Sequence, residues 1–493
     1  MGIIQKQALR STIVTFIGAG FGAVSRLSMP VILSEMQIGF LTLLDAVSGM
    51  FMTIFSLGFD QILARLFPRF RNDSNGHNGF FLLGIFLSFI GIGMSFIAYY
   101  FLKDYLLPNS DVYGNYSSFV IFIFPLIFFR VLFRNMDGYA GMLMNTVLGA
   151  FLDGLVSKVL LLLGLMGFAL SWLNFDHLTL VFVSSLCIPG LIITFYGLFK
   201  TTSITLPSKE FRQPEIRKEI FQYIGFGVLM GASNSIIFYI DSLMVNKLIS
   251  LEALGVYSTY FFAARLMSIP SRSLGRISTV VLAESWKNND IDNIDEVYKK
   301  SCLNQLLIGT FLLGVGWACL EPAIHYLPGD KSLLYNANKY VFFFLGIGLL
   351  VELATGVNAN IIGTSKKFKF NTYFNLSLAV FVTILNYIFI QLYSLEGAAL
   401  ATMTAMILVN FMRWFFLVKT YGFQPFDSKF LKAAIFSLLF ILAAHFIDYD
   451  ATPSIKIIIN AVSFTAVFVG VAYFFNLSED LKNLIKKAVP FLK

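Results

Sequence analysis

Fourteen blocks of roughly twenty or more apolar residues, separated by short polar breaks, constrain this chain more than any other feature. A helix needs about twenty such residues to cross a hydrocarbon core about 30 Å thick. Inside a bilayer no water is available to the backbone, so a spanning segment must be a helix or part of a closed barrel. Barrel strands would read as ~10-residue alternating segments, and these blocks are longer and uniformly apolar. Composition agrees. Of 493 residues, 57% are hydrophobic and 13% charged, against about 25% charged in soluble domains. The sequence predicts an all-α polytopic membrane protein.

The predicted spans are residues 11–32, 38–64, 79–102, 118–142, 146–171, 178–199, 220–248, 253–281, 301–327, 338–362, 370–393, 396–418, 430–447 and 454–476. Basic residues test this count. With the N-terminus inside, the inside segments hold 23 of the 36 Lys and Arg and the outside ends hold 5. Such asymmetry is the positive-inside signature. One extra or missing early span would invert every later loop. The expected topology is therefore fourteen helices with both termini cytoplasmic. The net charge of +8 follows from this loop bias and requires no nucleic-acid partner.

"MGIIQKQALR" runs into the first apolar block without a small-residue cleavage site, so it reads as a retained helix. Lys6 stands where a myristoylation motif needs Ser or Thr. Cys187, Cys302 and Cys319 lie in or beside apolar runs with no disulfide or zinc spacing, and four scattered histidines add no metal cluster. No metal or organic cofactor is expected. A coupling ion, proton or sodium, is the one small participant left open.

The chain resembles itself. "MPVILSEMQIGFLTLLDAV" (Met29–Val47) aligns with "DSLMVNKLISLEALGVYSTYFFAA" (Asp241–Ala264), about 216 residues apart. In each, a helix ends, a short acidic loop follows, and Gly39 or Gly255 opens the next helix. The basic connector "KTTSITLPSKEFRQPEIRKE" falls between the copies. The expected organisation is a six-helix bundle over 1–199, a connector over 200–219, a second six-helix bundle over 220–418, helices thirteen and fourteen over 419–476, and an amphipathic cytoplasmic tail over 477–493. Repeats of this kind typify transporters, with the substrate bound between the halves.

Three stretches, "YIDSLMVNKLISLEALGVYS" (Tyr239–Ser258), "LEGAALATMTA" (Leu395–Ala405) and "SLGFDQILARLFPRF" (Ser56–Phe70), resemble the multidrug/oligosaccharidyl-lipid/polysaccharide (MOP) exporter superfamily, in particular the Wzx-like polysaccharide flippases. The resemblance covers nearly the whole chain. It implies a MATE-like fold of two pseudo-symmetric six-helix bundles plus two C-terminal helices. It also implies a flippase that moves undecaprenyl-pyrophosphate-linked oligosaccharide from the cytoplasmic to the outer leaflet by alternating access. The implied partners are the lipid-linked oligosaccharide, membrane lipids and a polysaccharide polymerase, with the flippase acting as a monomer.

Charges within the spans are the candidate site. Ionisable groups at bilayer depth should face the protein interior or a wet cavity. Arg130, Arg134 and Asp137 stand at i, i+4 and i+7, on one helical face. Arg265, Arg272 and Arg276 stand at i, i+7 and i+11, on another. Guanidinium groups bind phosphate oxygens bidentately. The predicted cationic cavity comprises Arg26, Arg130, Arg134, Arg265, Arg272 and Lys158. The resemblance points to Arg26 and Arg265, since related lipid II flippases carry functional arginines on helices one and eight. Asp241, Asp45 and Asp137 are the gating or ion-pairing acids, with Asp241 expected to pair with Arg26 and close the outer gate. Arg276 and Arg413, near helix ends, read as snorkelling residues.

The alternative is a cation-coupled multidrug exporter of the same fold. Those usually have twelve helices and acids lining the cavity, whereas the first helix here offers Arg26. A membrane enzyme would need a sizeable polar domain, and the longest loops are roughly 20 residues.

Overall fold

Residues 3–106, 120–201 and 204–488 are described by this computed structural model. The loop after the third predicted span, the first two residues of the fourth, two connector residues and residues 489–493 of the tail lie outside them. Among the described residues the secondary structure is helical, without a strand. The chain divides into two compact units, Met1–Ser258 and Thr259–Lys493.

In the first unit, α1 (Ile3–Ile32) is followed by α2 (Glu35–Phe55) after a tight turn. Ser34 caps α2 through a reciprocal pair with Gln37, satisfying two N-terminal backbone donors. α3 (Phe59–Phe70), α4 (Phe80–Leu106) and α5 (Ile123–Met142) follow. Next come α6 (Thr146–Phe151), a π turn at Leu152–Val156, α7 (Ser157–Ala169), α8 (Phe175–Lys200) and α9 (Pro214–Leu248). α5 packs on α8, α2 on α5 and α9, and α1 on α6 and α7. Phe59, Phe67, Phe80 and Tyr139 build the buried core beside α3.

Small residues let α2 and α9 touch backbone to backbone. A Cβ on Gly227 would sit 2.3 Å from the Cα of Gly58, and one on Gly231 would sit 2.3 Å from the carbonyl oxygen of Thr53. Ser235 donates to the Met50 carbonyl at 3.3 Å. Gly227, Gly231 and Ser235 recur every fourth residue, the small-xxx-small spacing of close membrane-helix pairs.

The next helix, α10 (Leu251–Arg265), returns to α2. A Cβ on Gly39 would lie 1.9 Å from the Leu251 carbonyl oxygen, and one on Gly255 would lie 2.0 Å from that of Glu35. Thr42 Oγ1 donates to Ser258 Oγ at 3.2 Å. Gly39 and Gly255 are 216 residues apart, as are Thr42 and Ser258 and also Glu35 and Leu251. The aligned repeat positions therefore meet one another about a local pseudo-twofold axis.

In the second unit, α11 (Ile269–Asn288) leads to α12 (Ile291–Ile324), α13 (Lys331–Ala337), α14 (Tyr340–Ala354), α15 (Asn358–Thr364), α16 (Lys369–Tyr421), α17 (Ser428–Phe446), α18 (Pro453–Phe474) and α19 (Glu479–Ala488). α12 is the hub, packing on α14, α17 and α18, while α14 packs on α16. Leu282, Tyr298, Cys302, Ile361 and Val409 form its buried core.

Ten helical stretches among the described residues are long and apolar enough to cross a membrane, or eleven with α13 and α14, bent by 44°, taken as one span. Fourteen were expected, and the shortfall has physical causes. α16 runs over 53 residues as two helices joined directly at Ser394. It turns at Ser394, where φ is 51°, and contains both predicted spans 370–393 and 396–418. Gly397 explains the glycine-alanine motif after that turn, because its Cβ would lie 1.9 Å from the Phe389 carbonyl oxygen. α5 carries Arg130, Arg134 and Asp137. The predicted span 253–281 is divided between α10 and α11 by a short 3-10 turn at Leu266–Ser268 and carries three arginines.

Candidate substrate site

On α1, Gly18, Gly22 and Arg26 recur every fourth residue and share one face. The Cβ missing from Gly18 would lie 2.0 Å from the Gly154 carbonyl oxygen, so α1 rests directly on the π turn. Gly22 leaves room for the Lys158 side chain, whose carbons come within 3.7 Å of the missing Cβ. Ser25 Oγ reaches the Lys158 carbonyl at 3.3 Å.

The π turn matters for register. Its i→i+5 bond, from Ser157 N–H to the Leu152 carbonyl, spreads one turn over an extra residue. In an α-helix Asp153 and Lys158, five apart, would face different ways; here they project to similar sides. π turns often mark functional sites.

Asp45 of α2 is the centre. Arg26 Nη2 bonds its Oδ2 at 3.2 Å and Arg130 Nη1 its Oδ1 at 2.9 Å. The same Arg130 nitrogen also reaches the Asp45 carbonyl at 3.1 Å and Ser48 Oγ at 2.8 Å. Lys158 lies within electrostatic range of Asp45, and Asp153 within range of Arg130. Arg26, Arg130 and Asp45 side chains retain 22%, 14% and 29% of their exposure, enough for water or a ligand to reach them. Four helical segments thus bring three cations and two acids together, a net charge of one positive.

A second cluster follows along α5. Arg134 bonds Asp60 at 2.5 Å. Asp137 is packed against Gly149, whose missing Cβ would lie 1.7 Å from Asp137 Oδ1, and it senses Arg134, Asp60 and Asp153. The helical face predicted for Arg130, Arg134 and Asp137 is therefore real, and its acid partners come from α2 and α3.

Asp241 lies buried on α9 and accepts a hydrogen bond from Tyr257 Oη at 2.8 Å. Arg26, its expected partner, bonds Asp45 in this structure. Tyr257 stands sixteen residues away, and a tyrosine in an apolar run gives no sign in the sequence of acting as a donor.

In the second unit the charges stand apart. The Arg265 guanidinium carbon lies 5.0 Å from the Phe261 ring centroid, a cation–π contact. Arg272 and Arg276 are exposed on α11. Arg413, expected to snorkel, is instead 8% exposed. Its Nη2 donates to Asn375 Oδ1 at 2.6 Å, beside a polar group in which Thr355 and Asn358 both bond Asn410 Oδ1. Packing of α14 and α16 encloses the side chain before it can reach an interface. Among the described residues no three His, Cys, Asp or Glu side chains are grouped to hold a metal.

Residues 4–283, more than half of the chain, match the family described as polysaccharide biosynthesis protein. The chain belongs to this family. Residues 228–388 also match the MatE family. Among solved structures, the lipid II flippase MurJ in its inward closed conformation shares the fold at 15% identity and TM-score 0.72, covering 93% of this chain and 98% of that one. An inward-facing multidrug resistance MATE family transporter of the MOP superfamily aligns at 12% identity and TM-score 0.65, covering 88% and 99%. A MOP superfamily transporter from Pyrococcus furiosus, described as having a binding pocket of reverse polarity, aligns at 12% identity and TM-score 0.56, covering 90% and 97%. No curated protein matches the sequence. This polysaccharide biosynthesis protein is thus a multi-pass membrane protein with the MOP-superfamily fold.

Proposed function

We propose that this protein carries an undecaprenyl-pyrophosphate-linked oligosaccharide, an O-antigen or capsule repeat unit, from the cytoplasmic to the outer leaflet of a bacterial inner membrane by alternating access. The observation that carries the reading is the convergence of Arg26, Arg130 and Lys158 on Asp45. Guanidinium groups stay charged when partly dehydrated and match phosphate oxygens in pairs. Asp45 holds both forks in place in the unloaded state. A diphosphate, with more charge and more acceptor oxygens, competes for the same donors, and Lys158 adds a third positive group. The protein works through binding and conformational change, without forming or breaking a covalent bond, and as a monomer that hands its product to a polymerase.

The test is transbilayer movement of a fluorescent undecaprenyl-diphospho-sugar in proteoliposomes. Arg130→Gln should slow it by about 100-fold, the scale of losing charge-assisted bonds worth roughly 1.5–3 kcal/mol each. Wild-type rates in Arg26→Gln, Arg130→Gln and Lys158→Gln would remove the cationic-site mechanism.

The MatE match over 228–388 supports a second reading, cation-coupled export. It predicts that a sodium or proton gradient drives uptake of organic cations into inverted vesicles; the flippase reading predicts no such transport.

A further inference from the structure

A separate cavity of about 390 Å³ opens within the second unit, at the ends of α12, α14, α17 and α18. No residue of the charged clusters on α1, α2, α5 and α7 lines it. We propose that it binds a neutral sugar ring, a hexose or N-acetylhexosamine, as a saccharide subsite.

The charge balance selects the ligand class. Two lysines and two acids face the cavity, and they are already paired. Lys339 bonds Glu321 at 2.6 Å and Lys456 bonds Asp448 at 3.2 Å. The lysine side chains are 23% and 27% exposed, whereas Glu321 and Asp448 are 63% and 91% exposed. Neither cation is left to hold a phosphate, and neither acid has an uncompensated charge to draw a cation. Each carboxylate accepts several hydrogen bonds, so both keep lone pairs for hydroxyl donors at the open side.

Part of the remaining lining is aromatic. Trp317 stacks on His445 with ring centroids 5.8 Å apart and planes 7° apart, and Tyr340 lies 5.6 Å from Trp317. Opposite, Tyr449 Oη donates to Asn460 Oδ1 at 3.0 Å, while Asn460 Nδ2 donates to the Ala318 carbonyl at 2.7 Å. These bonds tie α18 to α12 and preorganise the wall. The partly exposed Tyr340 and Tyr449 rings for C–H contact, carboxylates for hydroxyls and paired charges together describe a site for an uncharged polyol. On the flippase reading these helix ends lie at the outer face, where the carried glycan emerges; only that placement rests on the function proposed above.

The chain has four tryptophans, at 172, 286, 317 and 414, and only Trp317 lines the cavity. Replacing the other three by Phe makes emission of the full-length protein in nanodiscs report on this site. N-acetylglucosamine, galactose and glucose are titrated in turn, with soluble short-chain phosphatidylethanolamine as a separate probe. At least one sugar should shift Trp317 emission saturably, with a Kd on the order of 1 mM. Glu321→Gln and Asp448→Asn, both at exposed positions, should weaken it about tenfold. A flat response to all three sugars overturns the proposal, as does an undiminished response in both variants. Saturation by the lipid alone also overturns it and assigns the cavity to a headgroup. Arg130→Gln should abolish translocation yet leave the sugar signal intact, so this subsite and the diphosphate mechanism fail separately.

Discussion

Asp45 and Phe261 occupy matching places in the two repeats, 216 residues apart, as do Thr42 and Ser258. Their surroundings differ. Asp45 gathers two guanidinium groups and a nearby ammonium. Phe261 offers a ring face to one guanidinium, that of Arg265. Among the span arginines, the first unit meets Arg26, Arg130 and Arg134 with bonded carboxylates; the second sets an aromatic ring against Arg265 and an amide against Arg413, with the Glu352 carboxylate only within electrostatic range. Backbone symmetry at Gly39 and Gly255 coexists with chemical asymmetry a turn or two away. Repetition of a packing contact thus says little about repetition of a binding site.

The largest expected effect separates the two chemistries directly. Arg130→Ala should reduce translocation of a lipid-linked diphosphate about 100-fold, while Arg272→Ala, on an exposed face, should change it less than about threefold; equal losses would erase the distinction. Next, Asp45→Phe copies the second repeat into the first. It leaves Arg26 and Arg130 without their carboxylate and should slow translocation about tenfold, with a lower melting temperature by thermal unfolding in detergent. Third, Gly39→Ala and Gly255→Ala should each destabilise by about 2–3 kcal/mol, because either Cβ meets backbone at about 2 Å. Their costs should agree within about 0.5 kcal/mol if the contact is symmetric. Smallest is Arg413→Met. A buried cation held by one amide, with the exposed Glu352 carboxylate in electrostatic range, contributes little net stability, so unfolding should shift by less than about 1 kcal/mol in either direction.

Much of the fold was legible in the sequence. Apolar block lengths gave the helices, the 216-residue alignment located Gly39 against Gly255, and i, i+4, i+7 spacing placed Arg130, Arg134 and Asp137 on one face. Each is a local property or a repeat, which one dimension preserves. The partners were not legible. Arg26 bonds Asp45 rather than Asp241 because the turn at Ser34 folds α2 back along α1, and no spacing rule encodes the rotation of two helices about their axes. Arg413 reads as a helix-end residue until α14 and α16 enclose it. The relation of Asp153 to Lys158 was hidden for a different reason: five residues apart is an off-face spacing for an ordinary helix, and the composition of "LDGLVS" does not announce a π turn.

That turn gives the α6–α7 segment one amino acid more than its length needs. Removing a single residue between 154 and 156 would relax it into regular helix, leave the aspartate and lysine four residues apart on one face, and keep the Lys158 ammonium beside its neighbours. The extra residue is therefore expendable for the register of α7, whereas a second loss would turn everything beyond it by about 100°.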